Sequence, residues 1–167
     1  ISSSFCRKVL LRQRAYKSTF IIEELGLNHG KCRADIAALG AQFIGFEIKS
    51  NNDSLRRLNS QVKFYNSIFD RICVISGDKH IKNIKKCVPS WWGIIEVSAN
   101  NRAEINFSTI RDAQINTQTD PVSIAHLLWR TEVLEILQKE QLSPKILREP
   151  RSTLYKYLVN ALKTSEL

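Results

Sequence analysis

The sequence predicts an α/β fold: a mixed sheet of about four or five strands with helices on its faces, followed by a helical C-terminal extension. Three observations carry that expectation. Strand-like segments separated by turn signals fill residues 19–49, and an apolar run at 71–76 sits where a crossover from the third strand would deliver it. After Pro121 the apolar residues recur at helical spacing instead.

Residues 4–17 mix apolar and basic side chains at approximate helical spacing, which predicts a first helix. Residues 19–27 are rich in β-branched and aromatic side chains and lead into Asn28-His29-Gly30, a strand and then a reversal. A second strand over 31–39, a turn at Gly40-Ala41-Gln42 and a third strand over Phe43–Lys49 complete a β-meander, with Ile44, Phe46 and Ile48 on one face. Ser50-Asn51-Asn52-Asp53 breaks the alternation. Asp53 or Ser54 can cap a helix whose apolar residues Leu55, Leu58, Val62, Tyr65 and Phe69 share a side. The run 71–76, bounded by Asp70 and Gly77, fits a buried strand. A basic helix over 79–88 ends at Pro89 and another strand covers 92–97, giving the order βββαβαβ. The polar stretch 100–116 supports only a hairpin or an excursion. Asp120-Pro121 starts a long helix running to about Gln138, and Leu154, Leu158 and Leu162 mark a last amphipathic helix over 152–162. Residues 1–118 are thus expected to form a core, and 119–167 a helical extension packed on it.

A chain of 167 residues fits one ordinary domain with a small appendage. A hydrophobic content of 43% with 25% charged residues is that of a soluble globular protein, and no apolar run approaches the roughly 18–20 residues of a membrane span. Residues 5–11 are too short and too basic for an intact signal peptide, so a cytoplasmic location is expected. Cys6, Cys32, Cys73 and Cys87 are widely separated, with no CxxC pair and no His at zinc-finger spacing. Buried free thiols are expected in place of a zinc site or a disulfide framework. The net charge of +9 favours a polyanionic partner, because clustered Lys and Arg gain affinity for phosphates through counterion release. A well-solvated surface would give the same balance.

Glu47-Ile48-Lys49 is the most informative triplet, since strand alternation sends Glu47 and Lys49 to one face and Ile48 to the other. If the second hairpin turns about Ala41, residues whose numbers sum to 82 lie opposite each other. Asp35 then faces Glu47 at a Cβ separation of about 4.5–5.5 Å. Two facing carboxylates repel unless a cation lies between them. Mg²⁺, which takes one or two carboxylates together with waters and substrate phosphate oxygens, fits such a partial cage. Lys49 would stand beside it, placed to hold the attacking water and offset phosphate charge. The competing interpretation is a solvated hairpin whose edge residues are charged to deter aggregation.

Arg33-Ala34-Asp35-Ile36-Ala37 followed by Gly45-Phe46-Glu47-Ile48-Lys49-Ser50 resembles the PD-(D/E)xK motif of restriction-type and repair nucleases, with Ala34 in place of the leading Pro. The segment Asp53-Ser54-Leu55-Arg56-Arg57-Leu58, then Gln61 and Tyr65, then Pro89-Ser90-Trp91-Trp92-Gly93, is similar to a bacterial and phage-borne nuclease-like branch. The resemblance spans residues 23–97, with a weaker echo at Leu128-Trp129-Arg130, and Gln61-Val62-Lys63-Phe64-Tyr65 matches the QxxxY pattern of RecB-type nucleases. It implies a restriction-endonuclease-like mixed sheet flanked by helices and an Mg²⁺- or Mn²⁺-dependent deoxyribonuclease. Asp35, Glu47 and the Ile48 carbonyl would bind the metal, Lys49 would position the water and Gln61 would assist. Tyr65 would contact substrate or brace Gln61, although its place in the apolar stripe also suits a core residue. Such nucleases add an upstream Glu. A two-residue turn at His29-Gly30 puts Glu24 across from Asp35, a three-residue turn centred on His29 selects Glu23, and the family pattern favours Glu24.

Arg56, Arg57 and Lys63 on the helix after the active strand, and the basic helix with Lys79, His80, Lys82, Lys85 and Lys86, are candidates to track DNA phosphates. Each also suits a solvated helix face. His29, His80 and His126 stand in no nucleophile–base pattern, so turn or core roles are expected of them. Trp91 and Trp92 are expected to pack rather than to stack on bases. Family precedent admits a homodimer with no interface legible in the sequence. A catalytically degenerate nuclease fold that binds DNA, or a protein partner through the C-terminal helices, is the alternative to the enzyme.

Overall fold

A computed structural model of the chain describes residues 19–100, 104–140 and 145–162; the helix expected over 4–17, and Cys6 with it, lies outside the described residues. The expected meander is present as β1 (Phe20–Leu27), β2 (Cys32–Leu39) and β3 (Phe43–Lys49). It is followed by α1 (Leu58–Asn66), β4 (Arg71–Ser76), α2 (Asp78–Cys87), β5 (Gly93–Ala99) and β6 (Ile105–Arg111). One mixed sheet runs in the order β1-β2-β3-β4-β5-β6, parallel at β3-β4 and β4-β5 and antiparallel elsewhere. The sheet is wider than the expected four or five strands because the polar stretch after β5 folds back along it. Phe107 lies opposite Val97, and both pack into the sheet's second apolar cluster.

The two parallel crossovers, β3-α1-β4 and β4-α2-β5, place both helices on one face. Leu58 and Tyr65 of α1 and Ile84 of α2 share a cluster with Ala37, Ile72, Val74 and Ile94, around the buried Trp92. Trp92 stacks on Tyr65 with ring centroids 5.7 Å apart and its indole N–H donates to Asn66 at 2.8 Å, so it packs as the sequence suggests. The opposite face carries Ile36, Ala38, Phe46 and Ile75 with Ile44 and Ile48 beside them. Helices on both faces were expected, but among the described residues none contributes to this second cluster. Gly45 faces the segment between α1 and β4, where an added Cβ would stand 2.6 Å from the Phe69 ring, so only glycine lets β3 approach there.

Helix α1 begins later than the capping signals suggest. The Asp53 carboxylate accepts from the Ser50 amide at 2.7 Å and Ser54 Oγ from the Arg56 amide at 3.2 Å, so these residues shape the turn between β3 and α1 and leave Arg57 at the helix start. The long helix expected from Asp120 is two helices, α3 (Pro121–Ala125) and α4 (Arg130–Lys139). Asp120 caps the first as expected. The break follows from tertiary contacts: His126 packs on His29 and Tyr155, the Leu128 carbonyl accepts from the Tyr155 hydroxyl at 2.8 Å, and Trp129 is extended with its amide held by Glu132 at 2.6 Å. With α5 (Arg151–Ala161) these helices enclose a third cluster built on Ala125, Val133, Leu137, Leu154, Tyr155 and Leu158. Cys32, Cys73 and Cys87 are free thiols, and burial pushes that of Cys73 up to about 12. No helix among the described residues is long and apolar enough to cross a membrane.

Candidate active site

The β2–β3 ladder pairs residues summing to 82 from Leu39↔Phe43 to Ile36↔Phe46, the expected register, so Asp35 and Glu47 are the next positions along. On the other side, β1 and β2 pair as Glu23↔Ile36 and Leu25↔Ala34, which brings Glu24 opposite Asp35 as a two-residue turn requires. The turn itself is left-handed at Asn28 (φ 45°), His29 (φ 58°) and Gly30 (φ 84°).

Neither strand is regular at this level. Ile21 packs in the second cluster but Leu25 and Leu27 in the first; likewise Ile36 and Ala38 pack in the second but Ala34 and Cys32 in the first. Residues two apart in a regular strand share a face, so both strands change phase beside Glu24 and Asp35. Glu24 takes φ 56°, a left-handed conformation that re-aims a strand as a bulge does.

Around Asp35 and Glu47 the side chains form one network. Glu47 and Lys49, 1% and 5% exposed, are the only buried charged residues among those described. Lys49 Nζ donates to Glu47 Oε1 at 2.5 Å and to Gln61 Oε1 at 3.4 Å. Gln61 Nε2 donates to Glu47 Oε1 at 2.7 Å, and the Tyr65 hydroxyl bonds Glu47 Oε2 and lies 3.2 Å from the Arg33 carbonyl. Burial, and then the charge of Glu47, hold the Tyr65 phenol far above its ordinary range, so it remains a donor. Asp35 Oδ2 accepts from the Ile48 amide at 2.7 Å. Burial first and the Glu47 charge second push the Asp35 carboxyl up to about 6, against the opposing effects of the Ile48 amide and Lys49. Burial and a neighbouring carboxylate thus both disfavour the Asp35 charge, a penalty that a bound cation would relieve.

Of these groups, Asp35, Glu47, Ile48, Lys49 and Gln61 line an open cleft of about 830 Å³, whose walls include Glu24, Lys31, Arg33, Arg56, Arg57 and Phe64. Asp35, Glu47, Ile48, Lys49 and Gln61 are therefore brought together as the sequence suggested. The remaining candidates are placed differently from this group. Glu24 lines the cleft, but its carboxylate pairs with Arg33 at 2.8 Å near the surface and not with Glu47. Tyr65 is fully buried, as its place in the apolar stripe suits, and bonds Glu47 itself. Lys63 lines a neighbouring groove. The Ile48 amide, besides, donates to Asp35. Sequence reasoning passed over Lys31, Arg33 and Phe64. Arg33 gave no usable signal because β2 changes phase beside Asp35, and Phe64 carries none beyond its place between Gln61 and Tyr65.

No group of three or more His, Cys, Asp or Glu side chains among the described residues is arranged to hold a metal ion. A hard cation that keeps several waters needs only one or two carboxylates. A carboxylate offers about four lone-pair positions. Glu47 has three engaged by Lys49, Gln61 and Tyr65, while Asp35 has one engaged by Ile48. In an extended strand a residue's N–H and C=O point to the same edge, so the Ile48 carbonyl also faces Asp35. The donor set fits a partly hydrated Mg²⁺ or Mn²⁺.

The family model described as Bacteriophage P4 protein cII matches residues 7–167. Protein cII of Enterobacteria phage P4 is 29% identical over 119 residues, which cover 71% of this chain and 45% of that protein; the chain thus spans less than half the length of this relative. Among solved structures, the SPO1766 protein of unknown function from Silicibacter pomeroyi aligns with a TM-score of 0.49 at 18% identity, over 82% of this chain and 88% of that one.

Proposed function

We propose that this chain, which belongs to the Bacteriophage P4 protein cII family, is a metal-dependent nuclease that hydrolyses phosphodiester bonds in DNA on a restriction-endonuclease-like core. The observation that carries the reading is Asp35 and Glu47 beside one cleft, with the Asp35 carboxyl pushed up to about 6 and Lys49 anchored next to them. Asp35, Glu47 and the Ile48 carbonyl would hold Mg²⁺ or Mn²⁺. Bound there, the ion supplies Lewis acidity toward a phosphoryl oxygen and lowers the pKa of a bound water. Glu47 and Gln61 fix the Lys49 ammonium, so its remaining N–H directions can orient the attacking water and meet charge developing on the phosphate. Tyr65 fixes the Glu47 carboxylate from behind, limiting its rotation. Arg56, Arg57 and Lys31 at the rim supply positive charge for the phosphates on either side.

One observation favours a second reading. Three protein donors already satisfy most of Glu47, as a retired catalytic site retained for DNA binding would also show. The test is incubation of the chain with plasmid and single-stranded DNA, with and without Mg²⁺ or Mn²⁺, beside Lys49→Ala. Nicking that needs the metal and falls about a hundredfold or more in the variant is expected of the enzyme. Salt-sensitive binding without metal-dependent cutting, unchanged in Lys49→Ala, establishes the binder instead.

A further inference from the structure

The cleft does not end at α1. A second groove of about 570 Å³ lies on the other side of Ser60 and Phe64, which line both recesses, and its remaining walls are Asn28, Asn59, Lys63, Ser67 and Ser123. The hairpin tip is a shared wall, with Gly30 and Lys31 on the cleft side and Asn28 on the groove side. The C-terminal helices hold that tip in place. His29 stacks on Tyr155 at 5.8 Å, lies 4.9 Å from His126 by ring centroids and receives Arg151 Nη1 at 3.2 Å.

From these features we infer that the two recesses form one track for single-stranded DNA, with the catalytic cleft at one end and the Lys63–Phe64 groove holding the flanking nucleotides. This rests on the nuclease reading for the role of the cleft. The chemistry along the track is that of single-strand recognition: a cation for the backbone, an aromatic face for a base, and amides and hydroxyls for base edges. Lys63 is exposed on α1, while Phe64 packs in part against the first core cluster and leaves the rest of its side chain at the ridge between the recesses. Recess size argues in the same direction. Volumes of about 830 and 570 Å³ suit a few linked small groups, and Glu47 and Lys49 line the cleft yet are only 1% and 5% exposed, so a phosphate must enter the cleft to reach them. A single strand can unstack and lower one phosphate to them.

The test reads binding, not cutting. Fluorescence anisotropy of a labelled oligothymidylate, and of a mixed-sequence duplex of the same length, is measured with the full chain in EDTA at low salt. The variants are Lys63→Glu, Phe64→Leu and Phe64→Trp, with Lys139→Glu at the end of α4 as a control for the same change in charge. The single strand is expected to bind about tenfold more tightly than the duplex, with Phe64→Leu weakening it about fivefold or more and Phe64→Trp restoring it. Lys63→Glu is expected to weaken it well beyond Lys139→Glu. Equal affinity for duplex, equal effects of the two lysine reversals, or indifference to Phe64→Leu in a variant with parental circular dichroism each overturns the track. A parallel digestion with Mn²⁺ separates the two proposals. Failure to cut any DNA removes the nuclease reading while single-strand binding through Lys63 and Phe64 upholds the track, and cutting of duplex that ignores both residues does the reverse.

Discussion

The Asp35–Glu47 network and the His29–Tyr155 cluster grip the same hairpin at its middle and at its tip, the first buried and the second partly open to solvent at His29, and they hold polar groups in opposite ways. At the middle, a charged carboxylate is kept inside the fold by an ammonium, an amide and a phenol, while a second carboxyl nearby is left short of positive partners. At the tip, two imidazoles and a phenol stack side by side; burial first and then neighbouring cations or the other imidazole hold both His29 and His126 below the usual imidazole range, which favours the neutral rings. Under the proposed nuclease reading, the first arrangement holds a disfavoured carboxylate charge that a bound cation would relieve. The second has none and works as a joint. What separates them is whether charge is retained where burial disfavours it.

The two tyrosines give the largest expected contrast. Tyr65→Phe removes a bond to an ionised buried carboxylate and should cost about 1.5–3 kcal/mol, whereas Tyr155→Phe removes a bond to the neutral Leu128 carbonyl and should cost about 0.5–1.5 kcal/mol. Urea denaturation of both variants measures the difference, and equal losses would erase the distinction drawn between the clusters.

Asp35→Asn should act next most strongly, and with a pH signature. A carboxyl whose folded pKa is raised to about 6 binds its proton more tightly in the folded than in the unfolded chain. Its contribution to stability therefore falls as pH rises from near 4 to above about 6. Asn removes that penalty while its carbonyl can still accept from Ile48. The variant should be more stable than the parent at pH 8 by about 1–2 kcal/mol, allowing for partial solvent screening, and close to it at pH 4. Denaturation midpoints across that range test the sign. Hydrolysis should meanwhile be lost at every pH.

The smallest effect is expected at the joint. An imidazole held below its usual range resists protonation in the fold, so its contribution is lost as pH falls below the ordinary imidazole value near 6.5. His126→Phe keeps a ring against His29 and Tyr155 and should flatten part of the decline in stability between pH 7 and pH 5. Hydrogen exchange at the hairpin tip, read at the two pH values, distinguishes a loosened joint from general unfolding.

Much of this molecule was written in local pattern. Alternation in Phe43–Lys49 put Glu47 and Lys49 on one side, and the turn at Gly40-Ala41-Gln42 fixed the register that brings Asp35 beside them. The one-turn spacing of Gln61 and Tyr65 aimed both at the same carboxylate. Glu24 was placed opposite Asp35 by the same logic, yet its partner Arg33 could not be foreseen, because the phase change in β1 and β2 depends on which cluster each residue finally joins. The break between α3 and α4 was invisible for a similar reason. Apolar spacing runs straight through it, and what ends α3 is contact made by His126 and Leu128 with residues far away in sequence.

By itself the sequence determined the order of elements as far as β5, the register of the meander and the meeting of two acids with one amine, since all three follow from periodicity and turn length over short stretches of chain. Tertiary structure alone decided the depth at which those charges lie, the capture of Glu24 at the surface, the burial of Tyr65 behind Glu47 and the groove beside Lys63. Those outcomes depend on desolvation and on contacts between distant segments, and neither is encoded in the spacing of neighbouring residues.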